Sequence, residues 1–214
     1  MRVKVCGVTR CEDALFAASR GADFIGLVRA ASPRQVAIDT ARAIATALPP
    51  ATLPVLVFHD APLDEVCATL DTTGIRWVQL HGGETVAYAH DLVLRLPNVP
   101  LIRAWEVAGP QAATHLLEHL RAAADTGVRF QVLLLDAPKG RQHPGYGVLG
   151  DVSRRCRGQA DEIWCAGGLT PENVAAAVRA GDYDGVDVSR GVELRPGVKD
   201  QAALARFIAA ARAR

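Results

Sequence analysis

Two strand–turn–helix units follow one another late in the chain: Glu162-Ile163-Trp164-Cys165-Ala166-Gly167-Gly168-Leu169-Thr170-Pro171-Glu172-Asn173-Val174, then Gly185-Val186-Asp187-Val188-Ser189-Arg190-Gly191-Val192-Glu193. Each opens as a short apolar strand and ends in a small, glycine-bearing turn. Glycine has no side chain to block approach, so backbone N–H groups there can close on an anion. Thr170 before Pro171 reads as an N-cap followed by proline at the first helical position. Two such turns in succession predict a phosphate grip of the kind that (β/α)8 barrels carry after strands 7 and 8.

The same alternation runs upstream. Strand-like runs fall near residues 2–6, 24–28, 53–58, 77–80, 101–107, 130–136, 162–166 and 185–188. Helical patterns follow near 11–19, 37–48, 63–72, 85–96, 111–124, 151–157, 171–180 and 201–211, the last with Asp200 as N-cap. Alternating βα units predict a parallel sheet covered by helices. Eight of them in 214 residues predict a single closed TIM barrel, one domain over 1–214. The alternative, an open doubly wound sheet, is weakened because no Gly-x-Gly-x-x-Gly follows the first strand.

Bulk composition narrows the function classes. Half of the residues are hydrophobic, 22% are charged and the formal net charge is +1. That balance favours neither nucleic acid nor an anionic membrane surface. No apolar run approaches the roughly 18 residues of a membrane span, and Met1-Arg2-Val3-Lys4-Val5-Cys6 enters a strand without a signal-peptide core. The cysteines are odd in number (Cys6, Cys11, Cys67, Cys156, Cys165) and form no CxxC pair. A reducing cytoplasm is therefore expected, with no disulfide framework and no zinc site.

In a closed barrel alternate strand residues face inward, and chemistry gathers at the C-terminal strand ends. On strand 1 this turns Lys4 and Cys6 to the interior. Cys6 is either a base, its pKa pushed down by Lys4, or a small buried core residue. Strand 6 ends its apolar run in Asp136, a carboxylate that is costly to bury unless paired or used. The following Ala137-Pro138 argues against a helix cap there. Asp187, between two valines of strand 8, should meet Lys4 as a buried ion pair beneath Cys6. Arg34, set by Pro33, either offers its fork to a carboxylate or stays solvated. Strand 4 supplies Gln79, and His81 follows it at the mouth, where a histidine either shuttles protons or serves as hydrogen-bonded scaffold.

Lys4-Val5-Cys6-Gly7-Val8-Thr9-Arg10 resembles the opening of the phosphoribosylanthranilate isomerase family. The resemblance continues through Gly21-Ala22-Asp23-Phe24-Ile25-Gly26, Ser32-Pro33-Arg34, Val78-Gln79-Leu80-His81-Gly82 and Leu133-Leu134-Leu135-Asp136-Ala137. It takes in both late turns and closes at Pro196-Gly197-Val198-Lys199-Asp200. It implies a (β/α)8 isomerase of tryptophan biosynthesis that performs an Amadori rearrangement on N-(5-phosphoribosyl)anthranilate with no metal or organic cofactor. By the same resemblance Cys6 is the general base, Asp136 the general acid, Arg34 the holder of the anthranilate carboxylate, and Gly167, Gly168, Ser189 and Gly191 bind phosphate. Lys4, His81 and Asp187 are supporting candidates. The expected partner is a phosphorylated sugar-amine, with neither nucleic acid nor membrane, for a cytoplasmic monomer or homodimer.

The chain also departs from the family pattern. Within Pro144-Gly145-Tyr146-Gly147-Val148-Leu149-Gly150-Asp151-Val152, Tyr146 stands where the family carries a small hydroxyl residue and Val148 where it carries lysine. Arg29 occupies a usually aromatic position, and Trp105-Glu106 is unusual on strand 5. These changes read either as loop variation or as a different amine substituent on the same sugar phosphate. A non-catalytic sugar-phosphate-binding barrel is the alternative from another class. A two-phosphate isomerase is disfavoured, because the first half lacks a second glycine-rich pair.

Overall fold

The computed structural model describes residues 1–138 and 144–213. Eight strands, β1 (Arg2–Cys6), β2 (Phe24–Val28), β3 (Leu53–Phe58), β4 (Trp77–Leu80), β5 (Leu101–Glu106), β6 (Val132–Asp136), β7 (Glu162–Ala166) and β8 (Gly185–Val188), close into a barrel in chain order. Every neighbouring pair is parallel, including β1 with β8. Eight helices cover it: α1 (Cys11–Ser19), α2 (Ile38–Ala47), α3 (Leu63–Thr73), α4 (Val86–Arg95), α5 (Ala112–Asp125), α6 (Tyr146–Cys156), α7 (Val174–Ala180) and α8 (Gln201–Arg212). The fold is the (β/α)8 barrel that the alternating pattern predicts.

The strands carry apolar residues at nearly every position because both of their faces are buried. Val3, Val5, Ile25, Leu27, Leu56 and Phe58 belong to the layer shared with the helices. Phe24, Val55, Ile102, Val132, Leu134 and Trp164 fill the barrel itself. Phe24 packs on Trp77 and Trp164, with ring centroids 5.2 and 4.9 Å away, and this aromatic plug makes the interior a core rather than a pore. Lys4, Gln79 and Asp187 are buried polar residues of the interior.

Three local expectations are corrected. The sixth helix begins at Tyr146 rather than at 151, because Gly145, at φ 88°, turns the chain into it earlier. The seventh begins at Val174, not at Pro171. There the Asn173 side chain accepts from the Thr170 amide at 2.7 Å, and the Thr170 hydroxyl accepts from the Glu172 amide. These bonds hold residues 170–173 as turns, so Thr170 caps a turn rather than a helix. A short antiparallel hairpin, β9 (Glu193–Arg195) with β10 (Val198–Lys199), stands between β8 and α8 and was not foreseen. Its signal was Pro196-Gly197, with Gly197 at φ 81°. Asp200 caps α8 as read, accepting from the Ala203 amide at 3.0 Å. Among the described residues no helix is long and apolar enough to cross a membrane.

Candidate active site

Strand alternation turns Lys4 and Cys6 to the same inner face of β1. Cys6 lies opposite Gly26 in register, and a Cβ at that glycine would stand 2.8 Å from the Cys6 sulfur and 3.1 Å from Lys4 Nζ. Glycine on β2 thus makes the room both side chains occupy. Lys4 and Asp187 are register partners across β1 and β8, and Nζ donates to Oδ1 at 3.0 Å. The expected buried ion pair is present.

Its effect on Cys6 differs from expectation. Burial pushes the thiol above its ordinary pKa; Lys4 and Lys199 pull it down, Asp187 pushes it up, and burial prevails. A thiolate here lacks water, and the Lys4 charge is already committed to Asp187. For Lys4 the balance runs the other way. Burial disfavours its charge, but Asp187 and Cys6 outweigh that and raise its pKa.

Asp136 closes β6, level with Glu106 and Ala166 on the flanking strands. His81 Nε2 stands 3.4 Å from its Oδ2. On the other side of the ring, the Gln79 amide nitrogen lies 2.6 Å from Nδ1. With that nitrogen donating, the imidazole proton resides on Nε2 and faces the carboxylate. His81 is therefore both scaffold to Asp136 and a proton-bearing group beside it.

Arg34 is not a solvated loop arginine. The Ser32 hydroxyl accepts from its amide at 3.1 Å, and its stem crosses Gly7, whose positive φ of 71° and missing Cβ leave the space. Glu193 takes one side of the guanidinium as a fork, from Nε at 2.9 Å and from Nη2 at 2.7 Å.

The two glycine turns interlock. Gly167 and Gly168 take φ 90° and 64°, and their carbonyls accept from Tyr146 Oη at 3.1 Å and Asn173 Nδ2 at 2.9 Å. Gly191, in a 3-10 turn over Arg190–Val192, packs so tightly on the Leu169 carbonyl that any Cβ would collide with it.

A cavity of about 460 Å³ unites these pieces. Cys6, Asp136, His81, Asp187 and Arg34 line it together with Gly167, Gly168, Ser189 and Gly191. Lys4 acts from behind Cys6. A larger hollow of about 970 Å³ adjoins, sharing His59, His81, Asp136 and Ala137. The glycine turns and Cys6 line only the smaller one, which makes it the candidate site. His59 also lines the cavity and escaped the sequence reading, although it follows β3 as directly as His81 follows β4. Arg29 and Tyr146 are not among the lining residues. Arg29 Nη1 donates to the Val36 carbonyl, and Tyr146 supports the Gly167 turn from outside. The site offers a thiol, a carboxyl–imidazole pair, a guanidinium and two glycine turns within one small-molecule volume.

Comparison with known proteins shows the family. Residues 3–210 match the family described as N-(5'phosphoribosyl)anthranilate (PRA) isomerase. An N-(5'-phosphoribosyl)anthranilate isomerase of Geobacter sp. (strain M21) is 40% identical over 213 residues, covering 99% of this chain and 98% of its own. The phosphoribosyl anthranilate isomerase structure from Thermotoga maritima superposes with a TM-score of 0.85 at 29% identity, over 99% of this chain and 98% of that one. Another isomerase structure, in complex with reduced 1-(o-carboxyphenylamino)-1-deoxyribulose 5-phosphate, gives a TM-score of 0.84 at 30% identity, with 99% and 98% coverage.

Proposed function

Because this chain belongs to the N-(5'-phosphoribosyl)anthranilate isomerase family, we propose that it rearranges N-(5-phosphoribosyl)anthranilate to 1-(2-carboxyphenylamino)-1-deoxyribulose 5-phosphate, with Cys6 as general base and Asp136 as general acid. One observation carries the reading: a single cavity holds the thiol, the carboxyl, Arg34 and both glycine turns. Asp136 delivers a proton to the ribose ring oxygen as the C1–O bond breaks, and the amine lone pair forms a protonated Schiff base. That cation acidifies the C2 hydrogen. Cys6, as thiolate, removes it, and the resulting enolamine tautomerises to the ketone. His81 orients Asp136, while Lys4 and Asp187 hold charge beneath Cys6. Arg34 takes the anthranilate carboxylate by a charge-assisted fork. Gly167, Gly168, Ser189 and Gly191 take the phosphate.

Arg29 and Tyr146, which suggested another amine, stand outside the cavity lining, which supports anthranilate as the amine. Residues 1–214 form one isomerase domain in this reading, working in the cytoplasm as a monomer or homodimer. The direct test is a fluorescence assay on phosphoribosylanthranilate. Wild type should turn it over, while Cys6→Ala and Asp136→Asn should each lose about 10²–10⁴-fold in kcat, the usual reach of a general acid or base. Normal turnover by the double variant would refute the assignment.

A further inference from the structure

Lys199 is buried, and its ammonium is fully used. Nζ donates to the Cys6 carbonyl at 2.6 Å, to the Ser189 carbonyl at 3.3 Å and to Glu193 Oε1 at 2.9 Å. Three donors meet three acceptors, which is all an ammonium can offer. The residue is fixed from its backbone as well. Its amide donates to the buried Asp13 at 3.0 Å, and Thr9 Oγ1 donates to the Gly197 carbonyl at 2.6 Å, tying the hairpin to the β1–α1 loop. Glu193 is therefore shared. Lys199 holds one oxygen, and Arg34 holds both from its Nε–Nη2 side. Burial opposes the charge on Glu193, yet the hydrogen bonds from Arg34 and Lys199 keep its carboxyl below the usual range. Arg34 Nη1 makes no hydrogen bond to any described residue, so the Nη1–Nη2 edge is open, and the residue lines the cavity.

We propose that Lys199 is a positioning residue for carboxylate recognition: by balancing Glu193 it leaves Arg34 rigidly forked yet with its positive charge uncancelled toward the cavity. Burial lowers the Lys199 pKa while Glu193 opposes that fall; with all three groups ionised, Arg34, Glu193 and Lys199 sum to a single positive charge that an incoming carboxylate neutralises. Without Lys199 the Arg34–Glu193 pair would be self-sufficient, and a carboxylate would meet a neutral partner. The proposal rests on the reading of Arg34 as holder of the substrate carboxylate.

The test compares two ligands by calorimetry: reduced 1-(o-carboxyphenylamino)-1-deoxyribulose 5-phosphate and the same compound without the ring carboxyl. Each is titrated into the full chain, into Lys199→Gln, which keeps a donor for the Cys6 carbonyl, and into Lys199→Met, which does not. Both variants should bind the carboxylated ligand about tenfold more weakly and the other within about twofold of wild type. Equal weakening for the two ligands, unchanged binding, or loss of the fold in both variants would assign Lys199 to structure and overturn the proposal. Wild type that fails to prefer the carboxylated ligand would instead sink the Arg34 reading beneath it.

Discussion

At Cys6, burial and neighbouring charge act in opposite directions, and burial prevails. The thiol faces Lys4 and Asp187 from the barrel interior, Lys199 from the hairpin and Arg34 at the cavity edge. With its pKa raised, Cys6 rests as a thiol at neutral pH, and the thiolate that the proposed reaction calls on is the minor form. The sign follows directly: raising the pH populates the base. We expect kcat/KM to climb between about pH 7 and pH 9, by up to about tenfold per unit. A flat profile over that range would mean that Cys6 is not the group that takes the proton. Among the candidate residues, Cys6 and Asp136 are visible in sequence because each ends an apolar strand. Their reactivity is not, since desolvation depends on what packs around them.

The proposed acid and base end strands, whereas the proposed phosphate and carboxylate grips sit on loops. The β7–α7 and β8 turns are locked by Gly191 against the Leu169 carbonyl and by Asn173 bridging to Gly168. Adding a methyl group at Gly191 must separate the two turns, because backbone atoms cannot yield as a flexible side chain does. Gly191→Ala should therefore raise KM at least tenfold, with kcat reduced less, as expected when uniform binding is lost. A steady-state analysis in which KM stays fixed would contradict the proposed phosphate cradle. The hairpin after β8 works in the same way at smaller scale. Its Pro-Gly turn returns the chain so that Lys199 and Glu193 stand under Arg34, which lies more than a hundred residues earlier in sequence.

Across the whole molecule, the barrel closes where the first strand meets the last, and the Lys4–Asp187 pair lies on that seam. Lys4→Met leaves a buried carboxylate without its partner, a change that costs about 3–5 kcal/mol. A urea unfolding midpoint unchanged in that variant would contradict the pair's role. The folded pKa of Lys4 is raised, so its contribution is fully present below the ordinary lysine value and fades only as pH climbs past the folded one. Periodicity and glycine placement in the sequence determined the eight βα units, the barrel and most strand-end candidates, because each is a local property of one short segment. Segment ends were less legible: Gly145 moved one helix start by its positive φ and Asn173 another by its side-chain bond to the Thr170 amide. Only the tertiary structure decided that burial raises the Cys6 pKa where Lys4 alone would lower it, that His81 stands beside Asp136, and that Lys199 reaches both the Cys6 carbonyl and Glu193. Those outcomes depend on distances between remote segments, and electrostatics inside a dry barrel follows distance and burial rather than order along the chain.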